Sequence, residues 1–306
     1  MQTQKTAQVI LQTHELTKKY GDFTALNAIS LTLKQGDIYG LIGRNGAGKT
    51  TLFKCIMGLA KPTGGTVAIY GEQGNLNAAR RQMGFMINPS FFSYLNPKEN
   101  LQYLFQVKGV KVKGEVERLL KLVELDGVKK PFKAFSLGMK QRLGIAGALL
   151  GSPSIVVLDE PINGLDPQGI IDMRNVIKNI HKQTGTTFII SSHILSELDL
   201  VATQFGFIDH GVLLQEITHS DLHEHTKKVL IIEVSNIQKA QKVLQSIGIS
   251  DAVADGNRLR LGFHLDRSNE IARTLINGGV EVYDLHRQEI TLEEYFMRLV
   301  GSAENA

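Results

Sequence analysis

The chain has 306 residues, 42% of them hydrophobic and 21% charged, which suits a globular protein of one large domain, or one large and one small. Its net charge of +4 is uneven, with 24 Lys and Arg against 17 Asp and Glu in residues 1–220 and 10 against 13 in residues 221–306; a basic excess suits nucleic acid, an anionic membrane surface or phosphorylated ligands, although solvated lysines on helices are the simplest reading. No apolar run approaches the ~18 residues that span a bilayer, the start "MQTQKTAQVILQTHEL" lacks the basic flank and apolar core of a signal peptide, and the single cysteine, Cys55, fits a small core residue in a reducing compartment.

In chain order, residues 7–20 predict a strand ended by "KKYGD", a turn signal. "ALNAISLTLKQGDIYGLIG" predicts an alternating strand, a Gly-Asp turn and a second apolar strand. The Gly-rich "GRNGAGKT" follows, then a helix over about 50–59 stopped by "KPTGG", and "TVAIYG" is again a strand. Residues 98–108 and 113–125 have helical periodicity, with Leu101, Leu104 and Phe105 in the first and Val116, Leu119, Leu120 and Val123 in the second. "FSLGMKQR" precedes a helix through "LGIAGALLGS". "SIVVLDE" is short and apolar, as expected for a strand covered on both faces, and after a helix near 168–183 "TTFIISSH" repeats that type. "THSDLHEHTKK" predicts a linker. Beyond about residue 220 the order reads βαββαβ followed by an amphipathic helix, a small α+β module of ferredoxin-like type.

"GRNGAGKT", residues 43–50, matches G-x-x-x-x-G-K-[ST] in full between a strand and a helix. Glycines let the backbone curl so that successive N–H groups converge on phosphate oxygens, and the following helix aims its positive end at the same anion. The candidate binding set is Gly43, Arg44, Asn45, Gly46, Ala47, Gly48, Lys49, Thr50 and Thr51. Lys49 supplies a point charge for the terminal phosphates and Thr50 a hydroxyl for Mg²⁺. "IVVLDE" delivers Asp159 and Glu160 at the carboxyl end of a strand, where ligands bind in open α/β sheets. Asp159 suits the surroundings of a hard cation. Glu160 is then poised to polarise a water for attack on a γ-phosphate.

These motifs together resemble the nucleotide-binding subunits of ABC transporters over about residues 8–218. "GRNGAGKT" is similar to the Walker A loop, "FSLGMKQR" stands where the signature motif belongs, "GSPSIVVLDEP" corresponds to the Walker B, "NGLDP" to the D-loop with Asp166, and "ISSHILSE" to the switch segment with His193. Tyr20, in "TKKYGDFTALN", stands where the family has its adenine-stacking aromatic. The resemblance implies an α/β fold: a P-loop core of ABC ATPase type with antiparallel β and helical subdomains over residues 1–219, the helical part near 90–145, followed by the accessory α+β domain over residues 220–306. It implies ATP and Mg²⁺ as cofactors, with Lys49, Glu160 and His193 catalytic and Thr50 and Asp159 near the metal. It further implies a head-to-tail pair of such domains, a homodimer or a pair with a related subunit. In that pair Ser136 and the N–H of Gly138 touch the γ-phosphate held by the partner, and Asp166 bridges to the partner's phosphate loop.

One position departs from the family. Where the loop into the helical subdomain usually carries Gln, "MGFMINPSFFSYLNPKENL" offers Asn88, which keeps the amide with one methylene less, as a candidate contact to metal or water. The variants "FSLGMKQR", "NGLDPQGI" and "SSHILSE" resemble the branch of peptide-antibiotic and multidrug exporters of the bacitracin and lantibiotic self-protection type, which implies export of a peptide antibiotic, drug or other amphipathic compound. The expectation is an ATPase on the cytoplasmic face of the membrane, working with integral membrane permease subunits. The competing reading is a soluble ABC ATPase acting on ribosomes or nucleic acid. A single ATPase unit without heptad repeats disfavours it, and no nucleic acid is expected as a partner.

Overall fold

The computed structural model describes residues 8–225, 229–262, 264–288 and 291–304. Chain contacts divide it into two units, Met1–His219 and Ser220–Ala306. In the first, β1 (Val9–Tyr20) runs antiparallel to β2 (Phe23–Ile29) and β3 (Thr32–Lys34). The stretch expected as one alternating strand is therefore two, broken near Ser30, whose hydroxyl accepts from the Glu15 N–H. After β4 (Ile38–Ile42) and α1 (Lys49–Ile56), β5 (Gly64–Ile69) returns to pair with β1. Leu11, Leu16, Leu26 and Ile29 from this layer pack into one core with Leu52, Phe53, Cys55 and Ile56 of α1.

A second sheet carries the chemistry. α2 (Asn77–Arg81) leads into β6 (Met83–Met86). Then α3 (Pro97–Val107), α4 (Glu115–Leu122) and α5 (Leu137–Leu149) form the helical part. β7 (Ile155–Leu158), α6 (Pro167–Thr184), β8 (Thr187–Ser192) and α7 (Leu195–Asp199) follow, then β9 (Gln204–Asp209) and β10 (Val212–Thr218). The strand order is β10-β9-β4-β8-β7-β6. All neighbours are parallel except the β9–β10 hairpin. β4, β7 and β8 are buried along their whole length, which is why they read as unbroken apolar runs. β6, α2, α7 and the β9–β10 hairpin had no clear period in the sequence. Gly206 lies within β9, and the missing side chain leaves room for the Tyr39 ring beside it. Tyr39 is fully buried and donates its hydroxyl to Glu216 Oε1 at 2.9 Å; burial pushes the acidity of both groups toward the neutral form.

In the helical part Phe132 packs against both Phe91 and Phe135 with tilted rings, centroids 5.3 and 5.6 Å apart. Buried Asn100 bonds the backbone of Phe92, Leu95 and Asn96, fixing the loop that leads in from β6. A side chain added at Gly144 would lie 2.8 Å from Pro89 Cβ, so the glycine lets α5 settle on the β6 loop. Between residues 108 and 140, Lys108 donates to the Gly147 carbonyl at 3.0 Å, and partial desolvation of its ammonium lowers its proton affinity.

The stretch expected as a linker begins with a short helix, α8 (His219–His225), while residues 226–228 lie outside the described residues. In the second unit β11 (Val229–Val234), α9 (Ile237–Gln245), β12 (Val253–Asp255), β13 (Arg258–Leu261), α10 (Ser268–Asn277) and β14 (Val282–Gln288) realise the βαββαβ order, and α11 (Leu292–Glu304) closes it. The antiparallel order β12-β13-β11-β14 is the ferredoxin-like one. Leu230, Ile232 and Val234 alternate onto the helix side and pack with Ala240, Leu244, Ile271 and Leu275.

Candidate nucleotide site

The carboxyl ends of β4, β7 and β8 converge, and the candidate residues sit where those strands stop. Between β4 and α1 the loop turns on Gly46, at φ 83°, and Gly48, at φ 105°. A side chain at Gly48 would be strained and 2.8 Å from the Ala25 carbonyl oxygen. Gly43 donates its N–H to the Ser192 carbonyl, tying the loop to β8. Ala47 is buried, whereas Arg44, Asn45 and Gly46 are exposed at the rim. Thr50 and Thr51 follow Lys49 in the first turn of α1, whose N–H groups point into the loop.

Lys49 is buried to 6% exposure and donates to the carbonyls of Gly43 at 2.6 Å and Arg44 at 3.1 Å. Its ammonium also lies 3.0 Å from Glu160 Oε1. The other oxygen of Glu160 meets His193 Nδ1 at 2.9 Å. A carboxylate only accepts, so Nδ1 carries the proton and donates, leaving Nε2 for a ligand. Glu160 has φ 49°, an unfavourable left-handed setting for a residue with a Cβ, at the turn that follows β7. Thr50 Oγ1 donates to Asp159 Oδ2 at 2.7 Å. Lys49, Thr50, Asp159, Glu160 and His193 therefore form one interlocked cluster.

Thr50 and Asp159 offer only hard oxygen donors beside a lysine and a helix N-terminus, a set that fits Mg²⁺ with a phosphate. Asn88 follows β6 at the same sheet end, exposed, at φ 44°, and makes no side-chain hydrogen bond among the described residues.

A second group lies apart from this cluster. Ser136 caps α5 and accepts the Met139 N–H at 3.3 Å, which leaves its hydroxyl proton free to donate. Asp166 caps α6, accepting from Gly169 N–H at 3.1 Å, with Pro167 in the first turn. Ser136, Gly138, Gly164, Asp166 and Gln168 line one cleft of about 450 Å³. Tyr20 stands at the end of β1, half-exposed, with the Lys18 ammonium 4.6 Å over its ring.

Sequence reading missed Ser191. It is fully buried at the end of β8, donates to Asp159 Oδ1 at 2.7 Å and accepts the Glu160 N–H at 2.9 Å. The signal was a serine two residues before the singled-out histidine. It read as an apolar-strand terminus because nothing in one dimension puts it beside β7.

A loop of this kind, opening a helix at the end of a parallel sheet and facing an Asp-Glu strand end, defines a P-loop ATPase. The ABC transporter family model matches residues 26–163. The chain is 40% identical, over 95% of its length and 96% of the relative's, to the bacitracin transport ATP-binding protein BcrA of Enterococcus faecalis. It is 40% identical to the lantibiotic transport ATP-binding protein SrtF of Streptococcus pyogenes, over 68% of this chain and 90% of that one. Among solved structures, cbiO1 of Clostridium perfringens, part of the ABC transporter complex cbiONQ, aligns with a TM-score of 0.64 at 25% identity, covering 78% of this chain and 97% of that one. The chain belongs to the ATP-binding proteins of ABC transporters. It is an ATPase subunit that drives transport. Among the described residues no helix is long and apolar enough to cross a membrane.

Proposed function

We propose that this subunit powers export of a peptide antibiotic, working as one half of an ATPase dimer beneath a membrane permease on the cytoplasmic side. The observation that carries the ATPase half of the reading is the interlocked cluster of Lys49, Glu160 and His193 at the phosphate loop. Terminal phosphates compete with Glu160 for the Lys49 ammonium. When they take it, Glu160 Oε1 loses its cationic partner and is available to a water. The water oxygen bonds to the γ-phosphorus while the bond to the β–γ bridging oxygen breaks. Glu160 takes the water proton, and the broken bond leaves its electrons on ADP. His193, bonded to Glu160 through Nδ1, turns Nε2 toward the phosphate. Thr50, with Asp159 behind it, would hold a Mg²⁺, and the cation would supply charge neutralisation for the phosphates when bound.

The dimer is supported by the cleft shared by Ser136, Gly138 and Asp166. These groups present a helix N-terminus and a free hydroxyl to an anion, yet lie apart from their own phosphate loop. Docking to the permease is supported by a groove of about 880 Å³ in the same unit, where Met83, Phe85, Val110 and Val112 form an apolar floor beside Arg80, Arg81 and Lys108. The cargo class rests on the bacitracin and lantibiotic transport relatives. Co-expression with a membrane permease subunit in a sensitive bacterium should raise the inhibitory concentration of bacitracin or a lantibiotic, and Glu160→Gln should abolish the gain. Protection that survives Glu160→Gln would contradict the reading.

A further inference from the structure

We infer that Ser191 is a positioning residue that sets the metal-side carboxylate and the catalytic glutamate with one hydroxyl; the inference rests on the ATPase reading of this site. Ser191 Oγ has one proton and two lone pairs. The proton goes to Asp159 Oδ1 at 2.7 Å, and a lone pair takes the Glu160 N–H at 2.9 Å. The two neighbours are consecutive in chain and differ in demand. Asp159 needs a donor, and the Glu160 backbone needs an acceptor. At one buried point, of the side chains of this size only a hydroxyl gives both.

The first bond fixes the carboxylate of Asp159. Ser191 holds Oδ1 and Thr50 Oγ1 holds Oδ2, also at 2.7 Å, so the carboxylate plane is pinned from one strand and one helix. Thr50 is the hydroxyl proposed for the metal, and its orientation is set by Asp159. Such outer partners of a metal site tune it without touching it. The second bond holds Glu160 at φ 49°, a setting that persists only where the surroundings over-determine it. That setting aims the side chain at both Lys49 and His193. The register explains why β8 supplies the group. Ile190 pairs with Leu158 across the parallel ladder, so Ser191 falls opposite Asp159 at the strand end. The next residue, Ser192, accepts the Gly43 N–H and, through its hydroxyl, the Ile194 N–H, so consecutive residues of β8 anchor the phosphate loop and orient the His193 turn.

Ser191→Ala removes one oxygen from a packed strand, and Ser191→Thr keeps the hydroxyl. Mn²⁺ binding to the full-length protein with a non-hydrolysable ATP analogue, followed by electron paramagnetic resonance, reads the metal side directly. Ser191→Ala should raise the Mn²⁺ half-saturation about tenfold, by the usual effect of losing an outer partner. Affinity for the analogue without metal should stay within about twofold, since Lys49 and the loop are untouched. Hydrolysis should fall by about tenfold or more, and Ser191→Thr should recover both readouts. Unchanged Mn²⁺ half-saturation and hydrolysis in a folded Ser191→Ala protein would overturn the inference, and that variant decides it even if the threonine packs poorly. A lower melting temperature with normal Mn²⁺ affinity and normal turnover would also overturn it, by leaving Ser191 a purely structural role. If the wild-type chain itself hydrolysed no ATP, the functional reading would fail first.

Discussion

The phosphate-loop cluster and the Ser136–Asp166 cleft are both built at the ends of buried elements, but they differ in how complete they are. In the cluster every charged side chain already has a partner from another element: Lys49 with Glu160, Glu160 with His193, Thr50 with Asp159, Asp159 with Ser191. In the cleft, among the described residues, the Ser136 and Asp166 side chains bond only the first turn of their own helices, and Gly138 offers a bare backbone. The first has the look of a machine that closes on itself and opens for a phosphate. The second has the look of half a machine, with donors aimed outward. That difference supports a site assembled from two chains.

Changes in the cluster should have the largest effect. Glu160→Gln should cut hydrolysis by about 10²-fold or more while ATP still binds, as for loss of a general base. Turnover near the wild-type rate, measured as phosphate release, would remove Glu160 from that role. Lys49→Ala should act earlier, weakening binding of a fluorescent ATP analogue by about ten- to a hundredfold, the scale of one or two hydrogen bonds to a charged group. Ser136→Arg fills the cleft rather than the cluster. It should abolish cooperative hydrolysis yet leave binding of the analogue to the isolated chain unchanged. If it weakened that binding as Lys49→Ala does, the cleft and the cluster would belong to one site within a chain. Asp166→Ala should lower stability by about 1 kcal/mol through loss of the α6 cap, seen as a lower melting temperature. Its additional loss of turnover should exceed what stability explains. Tyr20→Ala should have the smallest effect, a several-fold loss of affinity for adenine nucleotides, in keeping with base stacking worth about 1 kcal/mol or somewhat more. Equal loss for ATP and for inorganic triphosphate would argue against stacking.

Much of the cluster was legible in one dimension because its parts are local. Gly43 to Thr50 is contiguous, and the Asp159–Glu160 pair ends an apolar run. Three things were hidden. Ser191 acts across two strands, and its partner is set by a parallel register that no local pattern encodes. The β9–β10 hairpin is buried partly by Tyr39 and Glu216, a polar pair in place of an apolar stripe. The place of Asn88 in the loop after β6 is visible in one dimension, but the partner of its amide is not, and among the described residues its side chain makes no hydrogen bond. The second unit was readable because β13 alternates, Leu259 and Leu261 buried between arginines, and its helices α9 and α10 carry strong apolar stripes.

The claim most exposed to test is that the cleft of one chain completes the cluster of another. Full-length Lys49→Ala and Ser136→Arg proteins, each inactive alone, are mixed in equal amounts with the permease subunits, and ATP hydrolysis is measured. A mixed pair has one site with both defects and one with neither. With random pairing of two symmetric halves, about a quarter of the wild-type rate should return if the two sites work independently. A mixture no more active than its two parents would contradict the account.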